Sequence, residues 1–368
     1  MTLHSGYRDG QRGFTLLELL IVIVILSTMA WMALSMAGRD VGQIRFEDTR
    51  NRLNAIHEAV IGGSGPAARG GGMPSGFVTD NGKLPDNIKA LVDSASYSSF
   101  HSVSPVFDPD PDPSTGLNNG GEGVLTLDQP QQQLMKGHRG FYLDGAAGGM
   151  YRDGWGTQQN PGRSGIDCPT VPTGAASAGN DKDDENHGWC VTRYGDGLYV
   201  DSYGMDGQLG PEDEHEYDEY GYEKDMAMQA VLEHDWTTDV TGSEVHIVNL
   251  SSQSIDFGTK LRASLLIYVN NGNDDTTQNG MWRRVTTDPT PDAVLLESGE
   301  EITVSFPTTN KIPVGEHLLV LVSEADGVAP SPDFRGVSIW PADTPKYFSS
   351  RVKFFPRGGV PDMTLTIR

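Results

Sequence analysis

Hydrophobic positions change their spacing three times along this chain. From Phe14 to Ala37 they are nearly continuous, and Glu18 is the single ionisable residue in the run. As a helix those 24 residues would reach about 36 Å, enough to cross a bilayer core. Beyond Gly38-Arg39-Asp40, Leu53, Ile56 and Val60 recur at helical spacing. Arg45, Glu47, Asp48, Arg50, Arg52 and Glu58 lie between them. That spacing predicts an amphipathic continuation of the same helix into water, stopped by Gly62-Gly63-Ser64-Gly65-Pro66.

From about residue 240 the period falls to two. Val245, Ile247 and Asn249 alternate with Glu244, His246 and Val248. Leu265, Ile267 and Val269 mark a second strand, and Ile302, Val304 and Phe306 a third. The run His317–Val322 reads as a buried fourth. Val337 with Ile339, Val352 with Phe354, and Met363, Leu365 and Ile367 complete the series. Some seven strands without a helical pattern predict a β-sandwich over 240–368, of immunoglobulin-like type. The stretch between helix and strands is polar and rich in glycine. Asp108–Gly116, "DPDPDPSTG", alternates acids with prolines, and its glycine is misplaced for an EF-hand loop, so it reads as an exposed linker. Residues 158–190 read as a polar insertion.

Composition narrows the function. Acidic residues outnumber basic ones by 50 to 27, giving a formal charge of -23, which argues against nucleic acid as a partner. The nine histidines are scattered, and no HExxH, P-loop, nucleophile elbow or Cys-x-x-Cys occurs, so the expectation is a structural protein and not an enzyme. The two cysteines, Cys168 and Cys190, are too few for a disulfide scaffold or a four-thiolate zinc site. They leave two readings open, one closed loop or two free thiols.

An acid inside an apolar span is costly and has a task where it is kept. "GQRGFTLLELLIVIVIL" resembles the processing site of type IV pilins and the related pseudopilins of type II secretion. The resemblance implies a leader over 1–13, cut by a prepilin peptidase between Gly13 and Phe14, and methylation of the new amine on Phe14. It implies that Glu18, fifth in the mature chain, pairs with the Phe14 amine of a neighbouring subunit during assembly. Two positions depart from the family. Ser35 stands where a proline is frequent, and Ser27 where a glycine is frequent.

The likeness extends into the following segment. "DNGKLPDNIKALVD", Asp80–Asp93, resembles the turn and short helix after the long helix of major pseudopilins, with Leu84 in place of an aromatic residue. "GHRGFYLDG", Gly137–Gly145, and "YRDGWGT", Tyr151–Thr157, resemble two further stretches. In the latter, Trp155 between glycines reads as an aromatic plug at a tight turn against the sheet.

"DSYGMDGQLG", Asp201–Gly210, resembles the opening of the family's calcium-binding loop. The resemblance implies Ca²⁺ held by the Tyr203 carbonyl, Asp206 and Asp225, with Asp218 and Asp213 as substitutes in a longer, more acidic stretch. From Asp201 to Asp225 there are ten carboxylates against one lysine, Lys224, a repulsion that a hard cation or solvent must offset. Both a calcium site and a solvated acidic loop fit that pattern. The export implied by the leader favours an oxidising compartment, and with it a Cys168–Cys190 bridge.

The expected architecture is α+β. A helix over 14–61, half membrane-spanning and half amphipathic, packs on a small antiparallel sheet in a head over 62–236, and the β-sandwich over 240–368 follows. The resemblance implies a single-pass inner-membrane precursor with its C-terminal part in the periplasm. The precursor would be drawn by an inner-membrane assembly platform into a homo-oligomeric filament with other minor pilins or pseudopilins. The alternative is a minor or tip pilin whose sandwich is an adhesin or binding module.

Overall fold

The computed structural model describes residues 16–62, 75–93, 134–143, 150–156, 183–204, 226–270, 281–323 and 348–368, apart from 195, 229, 259, 308 and 309. It also describes residue 97 and the short pieces 100–103, 106–107, 125–126 and 335–336. The helices are α1 (Leu16–Ile61), α2 (Phe77–Asn81), α3 (Lys89–Val92), α4 (Asp183–Asn186) and α5 (Glu233–Trp236). The first strands are β1 (His101–Val103), β2 (Val106–Phe107), β3 (Leu125–Thr126), β4 (Leu134–Lys136), β5 (Cys190–Tyr194), β6 (Gly197–Ser202) and β7 (Met226–Ala227). There follow β8 (Thr237–Asp239), β9 (Glu244–Asn249), β10 (Ile255–Asp256), β11 (Leu261–Val269), β12 (Met281–Thr286), β13 (Leu295–Leu296) and β14 (Glu301–Ser305). The last are β15 (Lys311–Pro313), β16 (Gly315–Ser323), β17 (Arg335–Gly336), β18 (Ser349–Phe354) and β19 (Met363–Ile367).

Buried apolar side chains fall into two clusters. The first gathers Leu53, Ile56, Ala59 and Val60 from α1, Phe77 and Val78 from α2, Leu84, Ile88, Leu91, Trp189, Leu198 and Val200. One stripe of the amphipathic half of α1 thus closes the head, over an antiparallel sheet ordered β5-β6-β7. Trp189 is almost fully enclosed and its indole donates to Tyr151 O at 2.5 Å. Asn186 Oδ1 accepts from the Ile88 amide at 3.0 Å. The end of the stretch 158–190 therefore belongs to the head core and not to an insertion. Residues 157–182 lie outside the described residues.

The second cluster joins two sheets. β11 is flanked by β12 and β16, and β16 also pairs with β17 and β18. The smaller sheet is ordered β14-β9-β19, with β19 parallel to β9. Ile247, Val304 and Leu365 from the smaller sheet share one core with Leu265, Leu319 and Val352 from the larger. Alternation put the correct faces inward, since β9 buries Val245, Ile247 and Asn249. The pairing does not establish the immunoglobulin strand order. β11 and β12 hydrogen-bond to each other along six residue pairs. Periodicity fixes which face of a strand is apolar and says nothing of its neighbour. β12 was not anticipated, because Arg283 and Arg284 interrupt its apolar positions. Val337 and Ile339 lie outside the described residues.

β16 is apolar on both faces. Leu318, Leu319, Val320 and Leu321 are all enclosed. A run of that kind needs cover on both sides, and its second face lies toward α2 and β4 of the head.

Candidate assembly site

α1 has 46 residues, about 69 Å at helical rise. Its first half stands clear of the head. Every residue from Leu16 to Met32 is exposed, with Leu16 at 83% and Trp31 at 77%. Glu18 lies in the first turn, where the helix dipole favours an acid. Gly13 and Phe14 lie outside the described residues. An apolar helix surface continuous around the axis is stable only inside an apolar surround. No helix among the described residues is long and apolar enough to cross a membrane. The side chains of 33–40 lie outside that description.

The second half of α1 is held by residues 151–155. The Gly154 amide donates to Thr49 Oγ1 at 2.9 Å, and Thr49 in turn donates to Arg45 O at 2.8 Å. A Cβ on Gly154 would lie 2.3 Å from Arg45 O, so only glycine allows this approach. Arg52 donates to Arg152 O at 2.8 Å, pairs with Asp48 at 3.0 Å and lies over the Tyr151 ring at 5.5 Å. Trp155 is half-buried, with the Arg45 guanidinium 5.8 Å from its ring. The glycine before it brings the turn onto α1.

The root of the acidic loop lies at the end of β6. Tyr203 is buried beside Cys190, and Gly204 takes a left-handed φ of 62°. Ser202 Oγ donates to Asp153 Oδ2 at 2.7 Å and accepts from the Gly204 amide at 3.1 Å. Asp153 is thereby brought to the start of the loop, together with the buried Asp201. Neither was among the expected ligands. The only signal for Asp153 was its place before Gly154 in a turn-forming stretch. Asp206, Asp213, Asp218 and Asp225 lie outside the described residues. Among the described residues no group of three or more His, Cys, Asp or Glu is placed to hold a metal ion. Cys190 is fully enclosed in β5, no free cysteine occurs among the described residues, and Cys168 lies outside them.

Residues 8–34 match the family model of the prokaryotic N-terminal methylation motif. The chain thus carries the leader motif of type IV pilin-like precursors, a structural and not an enzymatic class, across the start of α1. No curated protein and no solved structure matches the chain significantly.

Proposed function

We propose that the chain is a structural subunit of a type IV pilus-like or type II secretion pseudopilus filament. The observation that carries this is the methylation motif at 8–34, continuous with an exposed apolar helix that needs a like surround. In this reading a prepilin peptidase cuts between Gly13 and Phe14, and the Phe14 amine is methylated. The apolar half of α1 anchors the precursor in the inner membrane with both lobes in the periplasm. The assembly platform then packs that half among the helices of other copies and of minor subunits. Glu18 neutralises the Phe14 amine of its neighbour, a pair strengthened by the low dielectric of a helix bundle. Cys168 and Cys190 close a bridge. Calcium is held at the root and along the acidic loop by the Tyr203 carbonyl, Asp206, Asp218 and Asp225.

Mass spectrometry of sheared surface material tests the reading. The expected chain begins at methylated Phe14 and is a principal component of the filaments. Assembled material that retains Met1 would overturn the processing step. Trace abundance beside another, dominant subunit would favour the minor or tip role.

A further inference from the structure

The seam between the two buried clusters is built from residues that neither the motif nor the acidic loop uses. At the end of α2, Asn81 accepts from both the backbone and the side-chain amide of Asn270, which lies just past β11. The Asn270 amide donates to Asn81 O at 2.8 Å, and its side chain to Asn81 Oδ1 at 2.9 Å. Both residues are fully enclosed and 189 positions apart. Asn81 Nδ2 is itself held by Phe77 O at 3.0 Å and the Tyr142 hydroxyl at 3.3 Å. Gly82 follows with a φ of 70°, and a Cβ there would lie 2.0 Å from Tyr268 O of β11. From the opposite side comes Gly315, at the start of β16, whose Cβ would lie 3.0 Å from Thr79 O.

Between them lies Lys136 of β4, fully enclosed, donating to Thr79 O at 2.8 Å. The charged and titratable groups around it come from both sides: Asp80 and Arg139 from the head, Glu316 and His317 from β16. Asp80 is anchored by Arg139 at 2.8 Å and by the Tyr142 hydroxyl at 3.0 Å. Val314, next to Gly315, belongs to the head's apolar cluster. A second tie lies in the connection between the lobes, where Arg357 donates to the buried Asp235 at 2.6 Å.

We propose that the Asp80–Asn81–Gly82 turn is a socket that locks the β lobe onto the head, so that the two lobes move and unfold as one body. Swinging the lobe away would break both Asn270–Asn81 bonds, which cross the seam, and would uncover the enclosed Lys136. The two glycines allow the backbones to approach without side chains between them. The lobe therefore keeps one orientation relative to α1, and every copy in a filament presents it at one angle. That last consequence rests on the filament reading; the socket does not.

The test uses the full-length chain in detergent, unassembled, with scanning calorimetry and hydrogen–deuterium exchange. The wild type should show one endotherm. The amides of Asn81, Gly82 and Asn270 should exchange at least tenfold more slowly than those of the exposed turn at Thr241 and Gly242. Asn270→Ala should split the endotherm and raise exchange at 80–82 and 268–270 at least tenfold, leaving Leu198 and Val200 unchanged. Two endotherms in the wild type would overturn the proposal, and that reading needs no variant to fold. A single endotherm with unchanged exchange in Asn270→Ala would overturn it as well. Failure of the filament reading would appear as unmethylated chains that retain Met1, and would leave these readouts unmoved.

Discussion

Lys136 is a lysine enclosed on every side, and its burial has a measurable consequence. Loss of solvent lowers its pKa from 10.5 to about 8, against the opposing pull of Asp80 and Glu316. Between those two values the unfolded chain holds more protons than the folded one, so this group's contribution to stability rises with pH across that window. The size is on the order of 3 kcal/mol, enough to show against an ordinary domain's margin. Tyr97 and Tyr142 act in the opposite sense. Burial raises both, so the folded state loses stability as pH climbs past 10. The difference between wild type and Lys136→Met isolates the lysine. Denaturant titrations at pH 7.5 and 9.5 should show the wild type gaining relative to the variant. An equal pH dependence in both would show that Lys136 keeps its ordinary pKa. His317, nearby on β16, is pushed down to about 3 by burial and then by Lys136, so it stays neutral throughout that range.

At the scale of elements, two features of the head carry predictions. The first is the turn at Gly154. Gly154→Ala would force a methyl against Arg45 O and lift the turn from α1, with loss of the bond to Thr49. An overpacked contact of that kind costs about 1–3 kcal/mol. The thermal midpoint should fall accordingly, and an unchanged midpoint would mean that the turn can shift at no cost.

The second concerns the loop that leaves β6. If the loop holds calcium, ion at about a hundred times its dissociation constant adds roughly 2.7 kcal/mol to the folded state. The full chain should then melt higher in Ca²⁺ than in chelator, and Mg²⁺ should substitute poorly because it demands a tighter octahedral shell. Asp206→Ala and Asp225→Ala should each remove the shift, while Asp110→Ala should not. A melting temperature indifferent to chelator would leave the stretch as a solvated acidic surface. Asp153, held by Ser202 at the loop's root, adds a further variant: Asp153→Asn should weaken the calcium response if its carboxylate supports the site.

At the scale of the whole molecule, the exposed apolar half of α1 and the locked pair of lobes divide the work. In the filament reading, the helix is the part that needs other copies, and the lobes are what it carries. Glu18→Ala makes the helix more apolar, so membrane insertion should persist; in that reading filament yield should fall, with the Phe14 amine of the neighbour losing its proposed partner. Normal yield would remove Glu18 from the assembly step.

What the sequence determined by itself was local. The apolar run and the stripe of Leu53, Ile56 and Val60 specify α1 and its buried face, since a 3.6-residue period aligns those side chains whatever else the chain does. Alternation likewise specified the inward faces of β9 and β19, and the leader motif was legible as a string of residues. The tertiary structure decided the partners. Backbone donors and acceptors are the same at every residue, so nothing in β11 announces that it lies between β12 and β16. Trp155 gave no sign that its turn rests on α1, nor Asp153 that it meets Ser202. Asn81 and Asn270 look like ordinary turn residues, and only packing of the two lobes leaves each as the other's available partner. Such contacts join segments far apart in sequence, and their free energy exists only once both lobes are folded and water has left the seam.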